Sequence, residues 1–291
     1  MTRGSLCISI DVELAWGIWD KPSPAYHSRC AERELAIVRG LVALFDRHAV
    51  TATWAIVGRL LDRDDAAARS TSHGERIWYA PDVVDAVRAA HTPQDIGSHS
   101  YAHVYFGDAS REAARSDLAA ARRVHAQHGL PFASFVFPRN QVAHIDLLRD
   151  AGVKVFRSVD RGWHIAVRER LGKSAGRVAN LADKVLPIPP AVVQPIDHGD
   201  VVELPSSMLL MGRNGLRRAV LPAAVIAKAK LGLAAAKRTG GVFHLWFHPS
   251  NFYYDTERQL ETLGDIVRAA AELRDRGEID VRPMSSFAHA A

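Results

Sequence analysis

Apolar residues along the chain follow two periods. Short apolar or β-branched runs occupy residues 6–10, 51–57, 95–97, 133–137, 153–157, 201–204 and 242–247. Runs of that length, bounded by turn residues, read as strands. Between most of them the spacing changes to that of a helix. Residues 32–48 put Leu35, Val38, Leu41, Val42 and Phe45 on one face. A second helix is expected over 81–90, opening on Pro81, and a third over 110–128, capped by Ser110 and stopped by Gly129. Residues 142–151 stop at Gly152 in the same way, and residues 222–238 run up to Gly240. A last helix is expected from Thr256, whose spacing to Gln259 is that of a capping box, to near Gly277. Strand then helix, repeated about seven times, predicts a parallel sheet with crossover helices. The stretch 158–199 holds Pro187, Pro189, Pro190 and Pro195 and reads as a long irregular loop. With no linker and no repeat, one barrel-like α/β domain over 1–291 is expected, with that loop on its rim at about 158–200.

The 291 residues contain no apolar run near 20 residues, so no membrane-spanning helix is expected. Residues 6–10 are too short for the apolar core of a signal peptide. Two cysteines, Cys7 and Cys30, cannot build a disulfide framework, and a cytoplasmic location is expected. Thirty-seven Lys and Arg against 32 Asp and Glu leave a net charge of +5, without a nucleic-acid-reading motif, so no nucleic-acid partner is expected. The basic residues concentrate in Arg213, Arg217, Arg218, Lys228, Lys230, Lys237 and Arg238. That segment suits a solvated helix face, an anionic substrate, or peripheral contact with an acidic membrane.

Chemistry gathers at the strand ends. His99 follows the third run, with His103 four residues on, and Asp11-Val12-Glu13 follows the first. Pro138-Arg139-Asn140 follows the fourth run, Asp160 the fifth, Pro205 the sixth and His248-Pro249 the seventh. In a closed β/α barrel these ends converge on one mouth, where active sites are built. On one face of a helical turn, His99 and His103 are close enough to share a metal ion. His244 and His248 have the same spacing in an extended run and lie too far apart to do so. Two histidines and a carboxylate suit zinc, cobalt, iron or manganese, zinc being the expectation. Asp11 and Glu13 divide the remaining work, one on the metal and one on a proton. Trp16 and Trp19 lie in the loop after Glu13, and Trp246 lies two residues before His248. These rings suit either buried packing or support of a sugar ring.

Taken together, these segments resemble the polysaccharide deacetylase (NodB-homology) family of carbohydrate esterases, over essentially the whole chain. His99-Ser100-Tyr101-Ala102-His103 meets that family's His-Ser-x-x-His motif in full, and Ser9-Ile10-Asp11-Val12-Glu13 is similar to its first motif. His244-Leu245-Trp246-Phe247-His248-Pro249 looks like its last motif, and Val201-Val202-Glu203-Leu204-Pro205 like the strand before it. The third motif departs. Pro138 matches and Asn140 can take the left-handed conformation of the family's glycine, but Arg139 is displaced from the place of the arginine that holds the base.

The resemblance implies a distorted (β/α)7 barrel and a metal-dependent hydrolase that removes an N-acetyl group from an amino sugar. It implies Asp11 as base and Glu13 as metal ligand with His99 and His103, although the roles of Asp11 and Glu13 can be exchanged. His248 takes the place of the catalytic acid, with Asp160 as the acid that orients it. A backbone N–H near Asn140 would meet the oxyanion, and Trp16, Pro138, Arg139, Asn140 and Trp246 would contact substrate. The expected cytoplasmic location favours an intracellular amino-sugar substrate, and the basic segment one linked to a nucleotide or a lipid phosphate. The alternatives are a deformylase or another amide hydrolase of the same fold, and a non-catalytic carbohydrate-binding relative.

Overall fold

The computed structural model describes residues 3–63, 75–159, 162–185 and 188–289. The expected alternation is present: β1 (Gly4–Val12), α1 (Pro24–His48), β2 (Thr53–Ile56), α2 (Pro81–Arg88), β3 (Asp95–Ser98), α3 (Arg111–Gln127), β4 (Ser134–Val136), α4 (Ile145–Asp150) and β5 (Val155–Ser158). The chain continues through α5 (Trp163–Val185), β6 (Ile196–Asp197), β7 (Val202–Pro205), β8 (Met208–Leu209), α6 (Pro222–Thr239), β9 (Val242–Phe247), α7 (Thr256–Asp275) and β10 (Ile279–Val281). No helix among the described residues is long and apolar enough to cross a membrane.

Neighbouring strands run in the order β6-β7-β5-β4-β3-β2-β1-β9-β8, with β10 on the first residues of β1. Every pairing is parallel except that of β6 with β7. Closure comes from a bend. β7 lies against β5, and Ser206 N–H still donates to Ser158 O at 3.2 Å. One residue later Ser207 N–H donates to His244 O at 2.9 Å, and β8 then pairs with β9. β7 and β8 therefore act as one kinked strand that closes a ring of seven positions, a distorted (β/α)7 barrel. Below the bend the seam is filled by antiparallel chain, with Val193 bridging to Val242 and β6 pairing with β7.

The alternation along β1 fixes what faces the centre. Leu6, Ile8, Ile10 and Val12 pack outward into the main core, and Cys7 joins Ala55, Val136, Val155, Leu204 and Met284 in a second core inside the barrel. Each Leu, Ile, Val or Met among them contributes about 1.5–3 kcal/mol on burial. Ser9 and Asp11 share the inward register of Cys7, which makes the upper half of the barrel polar.

Helix boundaries follow the local signals, with three differences. α1 begins at Pro24, earlier than expected, because Ser23 accepts a hydrogen bond from Tyr26 N–H and caps it. Much of the stretch read as a loop is α5, since the prolines that suggested a loop fall after its last turn. The capping box at Thr256 does not form: Thr256 Oγ1 donates to Phe252 O and Gln259 Nε2 donates to Met211 O. Ser110 caps α3 as expected, and Gly129, Gly152, Gly240 and Gly277 take φ of 62–90°.

Candidate metal centre

Glu13 and His99 are the first residues past β1 and β3, which are separated in the sheet only by β2. The chain from His99 to His103 is not the helical turn that the spacing suggested. Ser100 and His103 have φ of 63° and 54°, and the turn is pinned from α3 by the buried carboxylate of Asp117. Its Oδ2 accepts from Tyr101 N–H at 2.9 Å and its Oδ1 from Ala102 N–H at 2.8 Å. These left-handed residues bring the two imidazoles to 5.1 Å between ring centres. Leu14, Arg139 and Asn140 are also left-handed, with φ of 48–55°. Non-glycine residues in that region cost about 1–3 kcal/mol each and cluster at functional sites.

Three donor atoms converge. His99 Nε2 lies 3.0 Å and His103 Nε2 3.1 Å from Glu13 Oε1, and all three side chains are nearly excluded from solvent. His99 Nδ1 is 2.8 Å from Val136 O, to which it donates, so a neutral His99 presents only a lone pair to the carboxylate. Burial lowers the pKa of His103, partly offset by Glu13, and so favours its neutral form. His103 Nδ1 is buried without a hydrogen-bond partner among the described residues, so its Nε2 can either donate to Glu13 or turn a lone pair to an ion. Two imidazole nitrogens and a carboxylate oxygen within reach of one another are a donor set that fits a divalent cation. Gly17 makes the room: a Cβ there would lie 2.0 Å from Glu13 Oε2.

Asp11 is held differently. Arg157, on β5 and without solvent exposure, donates from Nη1 to Oδ1 at 2.7 Å and from Nη2 to Oδ2 at 2.6 Å. Such a fork is the strong form of a charged hydrogen bond. Burial raises the Asp11 carboxyl pKa, but the Arg157 guanidinium above all, with His248, holds it below the usual carboxylate range. Arg157 Nη1 also donates to Ser9 Oγ at 3.0 Å, and Nη2 to Asn140 Oδ1 at 3.1 Å. His244 completes this support. Burial and then Arg157 push its pKa down to about 3, so it is neutral. Its Nδ1 donates to Pro205 O at 3.1 Å, which leaves Nε2 to accept from Ser9 Oγ at 2.9 Å.

His248 reaches the same hollow from the end of β9. Its Nε2 is 3.3 Å from Glu13 Oε1 and 3.6 Å from Asp11 Oδ2. Burial lowers its pKa, but Glu13 and then Asp11 outweigh that and push it up to about 9. Asp160, the expected partner of His248, lies outside the described residues. Trp246 flanks the hollow with its ring 4.3 Å from the Arg157 guanidinium and 5.6 Å from the His248 ring.

The remaining expected contacts divide. Arg139 is exposed on the rim, 5.2 Å from the Tyr105 ring and 3.4 Å from Asp20 Oδ1. Pro138 is buried, and the Asn140 N–H is already donated to Phe137 O at 2.9 Å, so it is not free for an oxyanion. Trp16 is a correction. It is 1% exposed, its indole N–H donates to Trp78 O at 2.9 Å, and its ring packs against Trp78 in the core. The aromatic beside the histidines is Tyr105, 5.7 Å from His103, with Trp19 6.2 Å beyond it.

No family model matches the sequence, and no curated protein matches it significantly. Solved structures do match in shape. A Mycobacterium smegmatis protein assigned as a polysaccharide deacetylase superposes with a TM-score of 0.69 at 18% identity, over 99% of this chain and 90% of its own. A Pseudomonas aeruginosa PAO1 protein of the same assignment gives 0.61 at 12% identity, over 97% and 88%. The fold is that of the polysaccharide deacetylases. The deacetylase fold also serves the PuuE allantoinase, which gives a TM-score of 0.61 at 12% identity over 97% of this chain and 88% of its own. Arg157 explains the departure from the deacetylase third motif: the guanidinium that grips Asp11 comes from β5 and not from Arg139. Its sequence signal is an arginine at the inward position of a buried strand, two residues after Val155.

Proposed function

We propose that the chain is a metal-dependent hydrolase that removes the N-acetyl group from an amino sugar. Glu13, His99 and His103 would hold one divalent ion, zinc being the expected one. The observation that carries this reading is the convergence of two imidazole nitrogens on one carboxylate oxygen, beside a second carboxylate that an arginine keeps ionised.

A divalent ion held there supplies Lewis acidity at the amide carbonyl. Asp11, fixed through both oxygens, accepts a proton from the attacking water. Arg157 acts through Asp11, as a positioning residue. His248, protonated, donates to the departing nitrogen, which otherwise leaves poorly. Water oxygen bonds to the carbonyl carbon, the C–N bond breaks, and acetate and a free amine result. Trp246 and Arg139 are placed to contact the substrate. The substrate class is an acetamido sugar on a nucleotide or lipid phosphate in the cytoplasm, in keeping with the basic segment 213–238 and two buried free cysteines. A second reading, hydrolysis of a formamide or cyclic amide, is favoured by the allantoinase of the same fold.

Incubation of zinc-loaded protein with N-acetyl and N-formyl amino sugars, free and nucleotide-linked, tests the reading. Acetate release that chelator abolishes and zinc restores is the expected result. Formate release would move the assignment to the second reading, and release of neither would end both.

A pH profile tests the acid. An acid works while protonated, so kcat/KM is expected to fall as pH rises through the pKa of His248, at or below about 9 because an ion on Glu13 weakens that carboxylate's pull. His248→Gln is expected to lower turnover by about 10²–10⁴ and to erase this alkaline limb. A limb that persists in the variant would give the role to another group.

A further inference from the structure

The loop between β8 and α6 follows the carboxyl end of a barrel strand, so it lies on the rim of the mouth. We infer that this rim docks on an anionic lipid bilayer through Leu216 and Leu221 and the arginines between them. Leu216 is 96% exposed and Leu221 68%. Single exposed leucines are commonplace, but three observations set these apart.

The first is a brace. Arg213 donates from Nε to Asp255 Oδ2 at 2.9 Å, from Nη1 to Val220 O at 2.9 Å and from Nη2 to Arg218 O at 3.2 Å. Arg218 Nε donates back to Arg213 O at 3.3 Å. The turn Gly215–Ala219 buries none of its own residues, so the brace holds an apolar side chain in water with no gain to the core.

Charge is the second. Residues 204–254 contain seven Lys and Arg and no Asp or Glu. Arg213, Lys228 and Lys237 pair with Asp255, Asp183 and Glu278. Arg217, Arg218, Lys230 and Arg238 are exposed and carry no ion pair among the described residues. A face that merely meets water mixes both signs.

The third is continuity. Beyond Leu221, the first turns of α6 expose Ala223 and Ala227 at helical spacing, so the apolar face runs on from the rim. Exposed apolar residues on a segment that carries cations and no acid of its own are the pattern of a membrane-facing surface. Beneath the loop a cavity of about 200 Å³, lined by Met208, Leu209, Met211, Val220, Val225 and Trp246, leads towards the indole that flanks His248. Docked in this way, the mouth meets an acetamido sugar carried on a lipid phosphate. That consequence alone rests on the hydrolase reading.

Vesicle sedimentation without substrate tests the docking. The protein is expected to pellet with vesicles of equal phosphatidylglycerol and phosphatidylcholine, and not with phosphatidylcholine alone. R217A/R218A is expected to weaken partitioning about thirty-fold, about five-fold for each cation. L216E/L221E is expected to weaken it at least about ten-fold, with circular dichroism, thermal midpoint and turnover of a soluble substrate unchanged. Absence of pelleting, or pelleting that L216E/L221E leaves intact, overturns docking whatever the acetate assay shows. A dimer that forms without vesicles and that L216E/L221E dissolves would give the face to a second copy and overturn it too. Vesicle binding without release of acetate or formate would instead remove the hydrolase reading and leave docking in place.

Discussion

An Arg157→Ala variant is expected to lose about 3–5 kcal/mol of stability and to turn over substrate at least about a hundredfold more slowly. Both effects have one origin. Asp11 is 2% exposed, and the bidentate guanidinium is its main compensation for leaving water. Removing one partner of a buried pair leaves the other charged and unpaired. Burial then dominates, and the carboxyl pKa rises. A base works only when deprotonated, so the acid limb of kcat/KM, set low in the native protein by Arg157, is expected to move up into the range of an ordinary assay. Arg157→Lys keeps a cation but loses the fork. It is expected to fold, to keep the acid limb low and to lose kcat more than KM. It carries the test should the alanine variant fail to fold. Wild-type kcat with an unmoved acid limb in Arg157→Ala would show that Arg157 does not control Asp11.

The barrel was legible because its strands and helices have different periods. Residues 242–247 coincide with β9, where a continuous apolar run ends at a histidine. What stayed hidden has physical reasons. β8 is two residues long and exists because the chain bends from one barrel wall to the other, so no periodicity marks it. α5 was obscured by prolines that follow it.

Within the site, the five residues Asp11, Glu13, His99, His103 and His248 are brought into one hollow, as the strand ends implied. The route differs from the expected one: left-handed Ser100 and His103, not a helical turn, aim the imidazoles. Arg157 was missed because its partner lies 146 residues away in sequence, and only the closed barrel makes them neighbours. Trp16 was misplaced because loop position says nothing about which way a ring points. Here it points into the core, with its N–H already donated.

Replacing both His99 and His103 by alanine is expected to abolish tight binding of zinc and, with it, hydrolysis. Loss of one ligand could be covered by His248, whose Nε2 lies 3.3 Å from the same Glu13 oxygen, so the double variant is the decisive one. An ion that binds only the folded chain stabilises it by about 2.7 kcal/mol at a hundred times its dissociation constant. The native protein should therefore show a thermal midpoint that rises with zinc, and the double variant a midpoint that does not. His125 supplies the control. It too is buried, with Nδ1 donating to Pro131 O at 2.7 Å, but it sits on α3 away from the mouth. His125→Gln is expected to lower stability while leaving the zinc-dependent rise intact. Metal content by mass spectrometry and melting with and without zinc read the outcome directly. Equal zinc content and an equal shift in the double variant would mean that the convergence on Glu13 Oε1 holds no ion, and hydrolysis at this mouth would need another source of polarisation.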